Sequence, residues 1–191
     1  MMNMTAADRP AGDLAIRHAT AADAEALSAF AAMVFRDTFA PDNDPMDMQS
    51  YLSDAFTPEQ QAAEIADGSC VCLIAEVGER LAGYALLRIE APDQRDASLA
   101  RPVEQTVELQ RFYVEPAWHG RGIAPRLMAA CVDAARTAGG ATMWLGVWER
   151  NARAIRFYAK QGFIDVGSQE FQLGADRQTD RVMSRSVALT R

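Results

Sequence analysis

Lysine is nearly missing from this chain: of its 19 basic residues only Lys160 is a lysine. The arginines keep the charge, so that bias excludes nothing alone. Positive charge as a whole is also short. The 26 acidic residues leave a net charge of −7, and the isoelectric point is near 4.9. A general nucleic-acid binder carries a basic patch, so that class is set aside, and a cationic small molecule is the better partner. Histidine occurs only at His18 and His119, and the cysteines are three, Cys70, Cys72 and Cys131. Their odd count and spacing give neither a disulfide framework nor a zinc site, and no metal is expected. No apolar run approaches the ~20 residues of a membrane span. The opening "MMNMTAADRPAGD" has no apolar h-region, so the expected location is the cytoplasm, away from membranes.

What the chain does have is 49% hydrophobic residues over 191 positions, enough for one packed domain. Residues 1–12 read as a flexible N-terminus and 13–191 as the domain. "LAIRHA" alternates as a strand. "TAADAEALSAFAAMVFRDTFA" opens at Thr20 and carries Ala24, Leu27, Ala31 and Val34 at helical spacing. "PDNDPMD" reads as a turn-rich break and "MQSYLSDAF" as a short helix. "TPEQQAAEIADG" is a third helix with Thr57 as cap, Pro58 at the first position and Gly68 past the end. "CVCLIAEV" and "RLAGYALLRIE" form a hairpin around Gly78-Glu79, "APDQRDASLARP" a loop, and "QTVELQRFYVE" the next strand.

A long helix is expected from Gly120 to Ala138, with Leu127, Cys131, Ala134 and Ala138 as its apolar stripe. "TMWLGVW", "NARAIRFYAKQ", "FIDVGSQEFQLG" and "DRVMSRSVAL" follow as strand, helix and two strands. The expected fold is a single mixed α/β domain. Its twisted sheet is mostly antiparallel, with a central parallel pair and flanking helices. Strand edges near the C-terminus leave room for a homodimer.

The stretch "YVEPAWHGRGIAPRL" places Gly120 and Gly122 where a strand gives way to a helix. A helix N-terminus has about four amides without intrahelical partners, and its dipole favours an anion. Glycines there let a phosphate approach the backbone. The alternative is a loop packed closely on a strand. The spacing fits neither a dinucleotide-binding fingerprint nor a P-loop.

"LQRFYVEP", "AWHGRGIAPRLM", "MWLGVWERN" and "NARAIRFYAKQGF" occur in this order. Together they resemble the GNAT superfamily of acetyl-CoA-dependent N-acetyltransferases, closely over the last two-thirds of the chain. The family's pyrophosphate loop reads Gln/Arg-x-x-Gly-x-Gly/Ala. Here His119 departs from Gln/Arg, while Gly122 and Ala124 match. The resemblance implies acetyl-CoA as co-substrate, held by Gly120, Arg121, Gly122, Ile123 and Ala124, with His119 beside them. It also implies that Phe112, Tyr113 and Val114 offer backbone groups to the pantetheine arm. Asn151 matches a cofactor-contacting asparagine and also reads as a plain helix cap. Tyr158 matches the tyrosine that protonates the departing thiolate, and also reads as a core aromatic. Arg126 is either a second phosphate charge or part of a solvated helix face.

Attack by an amine needs a base. Glu108 lies where many family members carry one; an ion pair with Arg111 or Arg88 is the other reading. Cys131, on the packed helix face, is a poor nucleophile. Within the superfamily the chain looks like the PaiA-type branch of spermidine/spermine N-acetyltransferases, which implies a small-molecule acceptor, a polyamine or another small aliphatic amine. Asp42, Asp44 and Asp47 are candidates to attract a polycation, or are solvated loop acids. Phe39, Trp144 and Trp148 are candidates to line the acceptor pocket, or pack the sheet. Other acceptors, namely a protein N-terminus or lysine, an amino acid or an aminoglycoside, stay open. So does a weakly catalytic CoA-binding regulatory module.

Overall fold

The computed structural model describes residues 13–90 and 105–188. The expected N-terminal tail and the loop "APDQRDASLARP" lie outside the described residues. Seven strands form one sheet: β1 (Leu14–His18), β2 (Cys70–Val77), β3 (Arg80–Glu90), β4 (Thr106–Val114), β5 (Thr142–Trp148), β6 (Ile164–Leu173) and β7 (Asp176–Ser186). Their spatial order is β1-β2-β3-β4-β5-β7-β6. Every neighbouring pair is antiparallel except β4–β5, which is parallel. The mixed α/β sheet with one central parallel pair is therefore observed. β6 forms an outer edge and exposes Ile164 and Val166.

Two apolar clusters sandwich the sheet. On one face α1 (Ala24–Phe39), α2 (Pro45–Ala55) and α3 (Pro58–Ala66) cover Ile74, Tyr84 and Leu86, with Leu27, Val34 and Phe35 supplied by α1. On the other, α4 (Ile123–Thr137) and α5 (Ala152–Lys160) cover Leu87, Leu109, Met143 and Leu145. β5 shows the alternation directly: Met143, Leu145 and Val147 are buried in the cluster shared with α4 and α5, while Trp144 and Trp148 point to the α1 side.

Three local expectations are corrected. α4 begins at Ile123 rather than Gly120, because Gly120 and Gly122 hold left-handed φ values of 76° and 79° that no helix continues through. Its buried stripe is Ile123, Leu127, Met128, Cys131, Val132 and Ala135, so Ala134 and Ala138 are only half-buried. α2 begins at Pro45, inside the expected break, because the Asp44 carboxylate caps it by accepting from the amides of Met46 (2.8 Å) and Asp47 (3.3 Å).

Candidate active site

The site starts from how little β4 and β5 touch. Only Thr106–Thr142, Val107–Met143 and Glu108–Trp144 are paired; beyond that rung Leu109–Val114 and Leu145–Trp148 separate. A bulge helps turn β4 away. Leu87 faces Leu109 and Leu86 faces Arg111, so Gln110 is an extra residue on β4. The outcome is a wedge with a free backbone edge on β4.

Alternation decides which groups that edge presents. The Glu115 amide donates to the Ala82 carbonyl at 2.9 Å, so Tyr113, two residues back, also turns its amide and carbonyl to β3. Phe112 and Val114 turn theirs into the wedge. At its wide end the His119 ring reaches the same edge, with Nε2 2.8 Å from the Val114 carbonyl and 2.7 Å from the Arg153 guanidinium. One ring nitrogen serves one partner at a time. Protonated it donates to the carbonyl; unprotonated it accepts from Arg153. Burial above all, aided by the Arg153 charge, holds this imidazole below the ordinary histidine range. His119 is therefore neutral near pH 7, and adds no charge where the expected pattern puts Gln or Arg.

The α4 N-terminus closes the wide end. Pro125 is its third residue and has no amide, and the first helical bond is Arg126 N–H to the Gly122 carbonyl at 3.4 Å. The amides of Ile123 and Ala124 stand ahead of that bond. An added Cβ at Gly120 or Gly122 would meet nothing within 4 Å, so the loop surface above the amides is open. Arg121 lies over the Trp118 ring at 5.2 Å. Arg126 turns elsewhere, its guanidinium donating to the Leu14 carbonyl at 3.3 Å. Asn151 caps α5 by accepting from the Ala154 amide at 3.1 Å, which leaves its Nδ2 with no partner among the described residues.

Midway along the wedge stands Tyr158, 8% exposed, its ring edge-on to Phe112 (6.2 Å) and Phe163 (5.7 Å). Burial raises its hydroxyl above the ordinary tyrosine value, so it holds its proton across the physiological range. Cys131 is fully buried, and burial raises its thiol too, so it is a buried thiol and no nucleophile.

Glu108 sits at the apex on the α1 face. It makes no ion pair among the described residues: Arg111 binds Glu64 at 2.6 Å, and Arg88 lies 3.6 Å from Asp67. That removes the direct ion-pair reading of Glu108. Burial first, then the nearby Glu90 charge, push its carboxyl up to about 7, against the opposing pull of Arg88 and Arg111. Glu90 itself accepts from the Thr106 hydroxyl and from Trp144 Nε1, the latter at 2.8 Å.

The loop acids have structural duties. Besides the Asp44 cap, Asp47 accepts from the Ala175 amide at 2.7 Å and so ties α2 to the β6–β7 turn. Asp42 lines a cleft of about 130 Å³ at the end of β5, with Trp148, Glu149, Arg150, Asp176 and Arg177. Phe39 meets Trp148 edge-on at 6.0 Å. Two residues of this face escaped the sequence reading, Glu90 and Asp180. Asp180 lies directly opposite Trp148, and alternation from Val182 would have marked it as inward-facing. Among the described residues no cluster could hold a metal ion, and no helix is long and apolar enough to cross a membrane.

The chain was compared with known proteins. Residues 34–163 match the model of the acetyltransferase (GNAT) family. An uncharacterized N-acetyltransferase of Mycobacterium tuberculosis is 34% identical over 165 residues, covering 86% of this chain and 98% of the relative. One from Lactobacillus delbrueckii is 31% identical over 153 residues, 80% and 86% of the two chains. The crystal structure of the PaiA N-acetyltransferase of Thermoplasma acidophilum, in complex with coenzyme A, shares the fold. Its TM-score is 0.73 at 21% identity, over 91% of this chain and 99% of that one. The chain thus belongs to the acetyltransferase (GNAT) family and is an N-acetyltransferase whose co-substrate is acetyl-CoA.

Proposed function

We propose that the chain transfers acetyl from acetyl-CoA directly to a primary amine of a polyamine such as spermidine or spermine. The observation that carries this reading is the charge of the face beside the wedge. Glu90, Glu108 and Asp180 lie on it with no ion pair among the described residues, while Arg111 and Arg88 are engaged by Glu64 and Asp67. An acid-rich, half-buried surface lined by Phe39, Trp144 and Trp148 attracts a flexible polycation. The three cysteines are all free, which suits the reducing cytoplasm.

The residues present fit the co-substrate. The edge at Phe112 and the Val114 amide suits an extended amide-bearing arm, with the Val114 carbonyl held by His119, and the amides from Gly122 to Ala124 suit its diphosphate. Asn151 Nδ2 and Arg121 stand beside that track, and the Tyr113 ring turns to the acceptor side. Acetyl-CoA supplies the activated acetyl thioester. Glu108 takes a proton from the substrate ammonium, directly or through a water, and frees the nitrogen to attack. A C–N bond forms as the C–S bond breaks, the Tyr158 hydroxyl gives its proton to the departing sulfur, and the surplus proton on the acetylated nitrogen leaves through water to restore the tyrosine.

The test is CoA release from acetyl-CoA over spermidine, spermine, lysine, a peptide with a free N-terminus, and an aminoglycoside. This reading expects the polyamines to have the highest kcat/KM. Preference for the peptide or the aminoglycoside would replace the acceptor class, and CoA binding without any turnover would point to a regulatory module.

A further inference from the structure

Asp180 is a buried carboxylate that the fold itself leaves incomplete. It is 8% exposed, and its Oδ1 has no hydrogen-bond partner among the described residues. Burial pushes its carboxyl up to about 6, so it is ionised at neutral pH. The neighbouring arginines look away from it: Arg181 engages Asp165, and Arg177 engages Glu170. An ionised carboxylate without a partner is costly inside a protein, and native structures nearly always supply one.

The surroundings show what is missing. Asp180 faces Trp148 on β5 and Gln169 on β6, and its charge is felt at the Tyr51 hydroxyl. Phe39 packs on Trp148, and Phe171 on Tyr51. The missing side chain of Gly146 makes room for Asp180 and Gln169, which occupy the space over β5. A Cβ there would lie 3.0 Å from Asp180 Oδ2 and 2.6 Å from Gln169 Nε2. The carboxylate thus lies among aromatic rings beside the Gln169 carboxamide, with Oδ1 still unpartnered, a setting that suits an alkylammonium group.

Its position relative to the reacting end gives the recess a purpose. Glu108 is level with Trp144 and Asp180 with Trp148, on the same face of the sheet. Four residues of strand place those rungs ~13 Å apart. We propose that Asp180 binds the second, non-reacting ammonium of the acceptor, so that the enzyme selects chains carrying two cationic nitrogens separated by several methylenes. This rests on the polyamine reading above and names the residue that enforces it.

The experiment measures steady-state kinetics with saturating acetyl-CoA for spermidine, 1,2-diaminoethane and butylamine. Wild type, Asp180→Asn and Gly146→Ala are compared. Wild type is expected to prefer spermidine to both short partners. Asp180→Asn should raise the spermidine KM about ten- to hundredfold, the cost of losing a charged hydrogen bond, with kcat nearly unchanged. Its butylamine kcat/KM should equal wild type, which also reports an intact fold. If Asp180→Asn does not fold, Gly146→Ala is read the same way, because its methyl crowds Oδ2. An unchanged spermidine KM, or equal losses on spermidine and butylamine, overturns the role of Asp180 and leaves the polyamine reading standing. A wild type that acetylates butylamine as well as spermidine overturns both.

Discussion

Glu108 and Trp144 form the last rung that joins β4 to β5, and the wedge opens immediately beyond them. That relationship places an acid with a raised carboxyl at the apex of the wedge, where the proposed reaction brings the two substrates together. The wedge then separates two surfaces, a backbone edge and an acid-bearing aromatic face, which the proposed function assigns to the acyl donor and to the amine.

Tyr158 is expected to act as the general acid. Tyr158→Phe should lower kcat at least about tenfold while the acetyl-CoA KM changes little. Single-turnover and steady-state assays separate the two. An unchanged kcat assigns Tyr158 to packing against Phe112 and Phe163 alone.

Gly122 holds φ 79° at the α4 N-cap, with nothing within 4 Å of an added Cβ. Gly122→Ala therefore has room but the wrong backbone preference, at about 1–2 kcal/mol. The melting temperature should fall about 2–8 °C. Calorimetric titration should show weaker CoA binding as the Ile123 and Ala124 amides shift.

Arg111 and Glu64 form a buried pair, their side chains 11% and 7% exposed, that pins β4 to α3. Arg111→Met should destabilise the fold by about 3–5 kcal/mol, because it leaves Glu64 unpaired. Adding Glu64→Leu should recover most of that loss. Chemical denaturation of the two variants measures both changes.

The backbone geometry around the α4 and α5 entrances was largely legible in the sequence. Gly120, Gly122 and Pro125 marked the helix entrance because their backbone restrictions are local. Asn151 was legible as a cap for the same reason. The acceptor side was less so, since its features depend on distant strands. Only the β4–β5 register shows that Glu108 lies at an apex. Asp180 becomes notable only when β7 is seen beside Trp148 and Gly146. Asp44 and Asp47, read as substrate-attracting candidates, proved to be a cap and a tie to Ala175, because carboxylates next to free amides satisfy those first.

The pH dependence of kcat/KM for spermidine, in wild type and Glu108→Gln, tests the central claim most directly. On the proposed mechanism the working base is the Glu108 carboxylate, so wild-type activity should rise with pH through about 7, where burial and Glu90 place that carboxyl. Glu108→Gln should lose that limb and at least about 100-fold in kcat. A linked effect on stability has a fixed sign. The folded value lies above the ordinary glutamate value of about 4.5, so the wild type loses stability as pH rises from there to about 7, and the glutamine variant does not. A glutamine variant with wild-type rates and the same ascending limb would contradict the account and move the base elsewhere on the face.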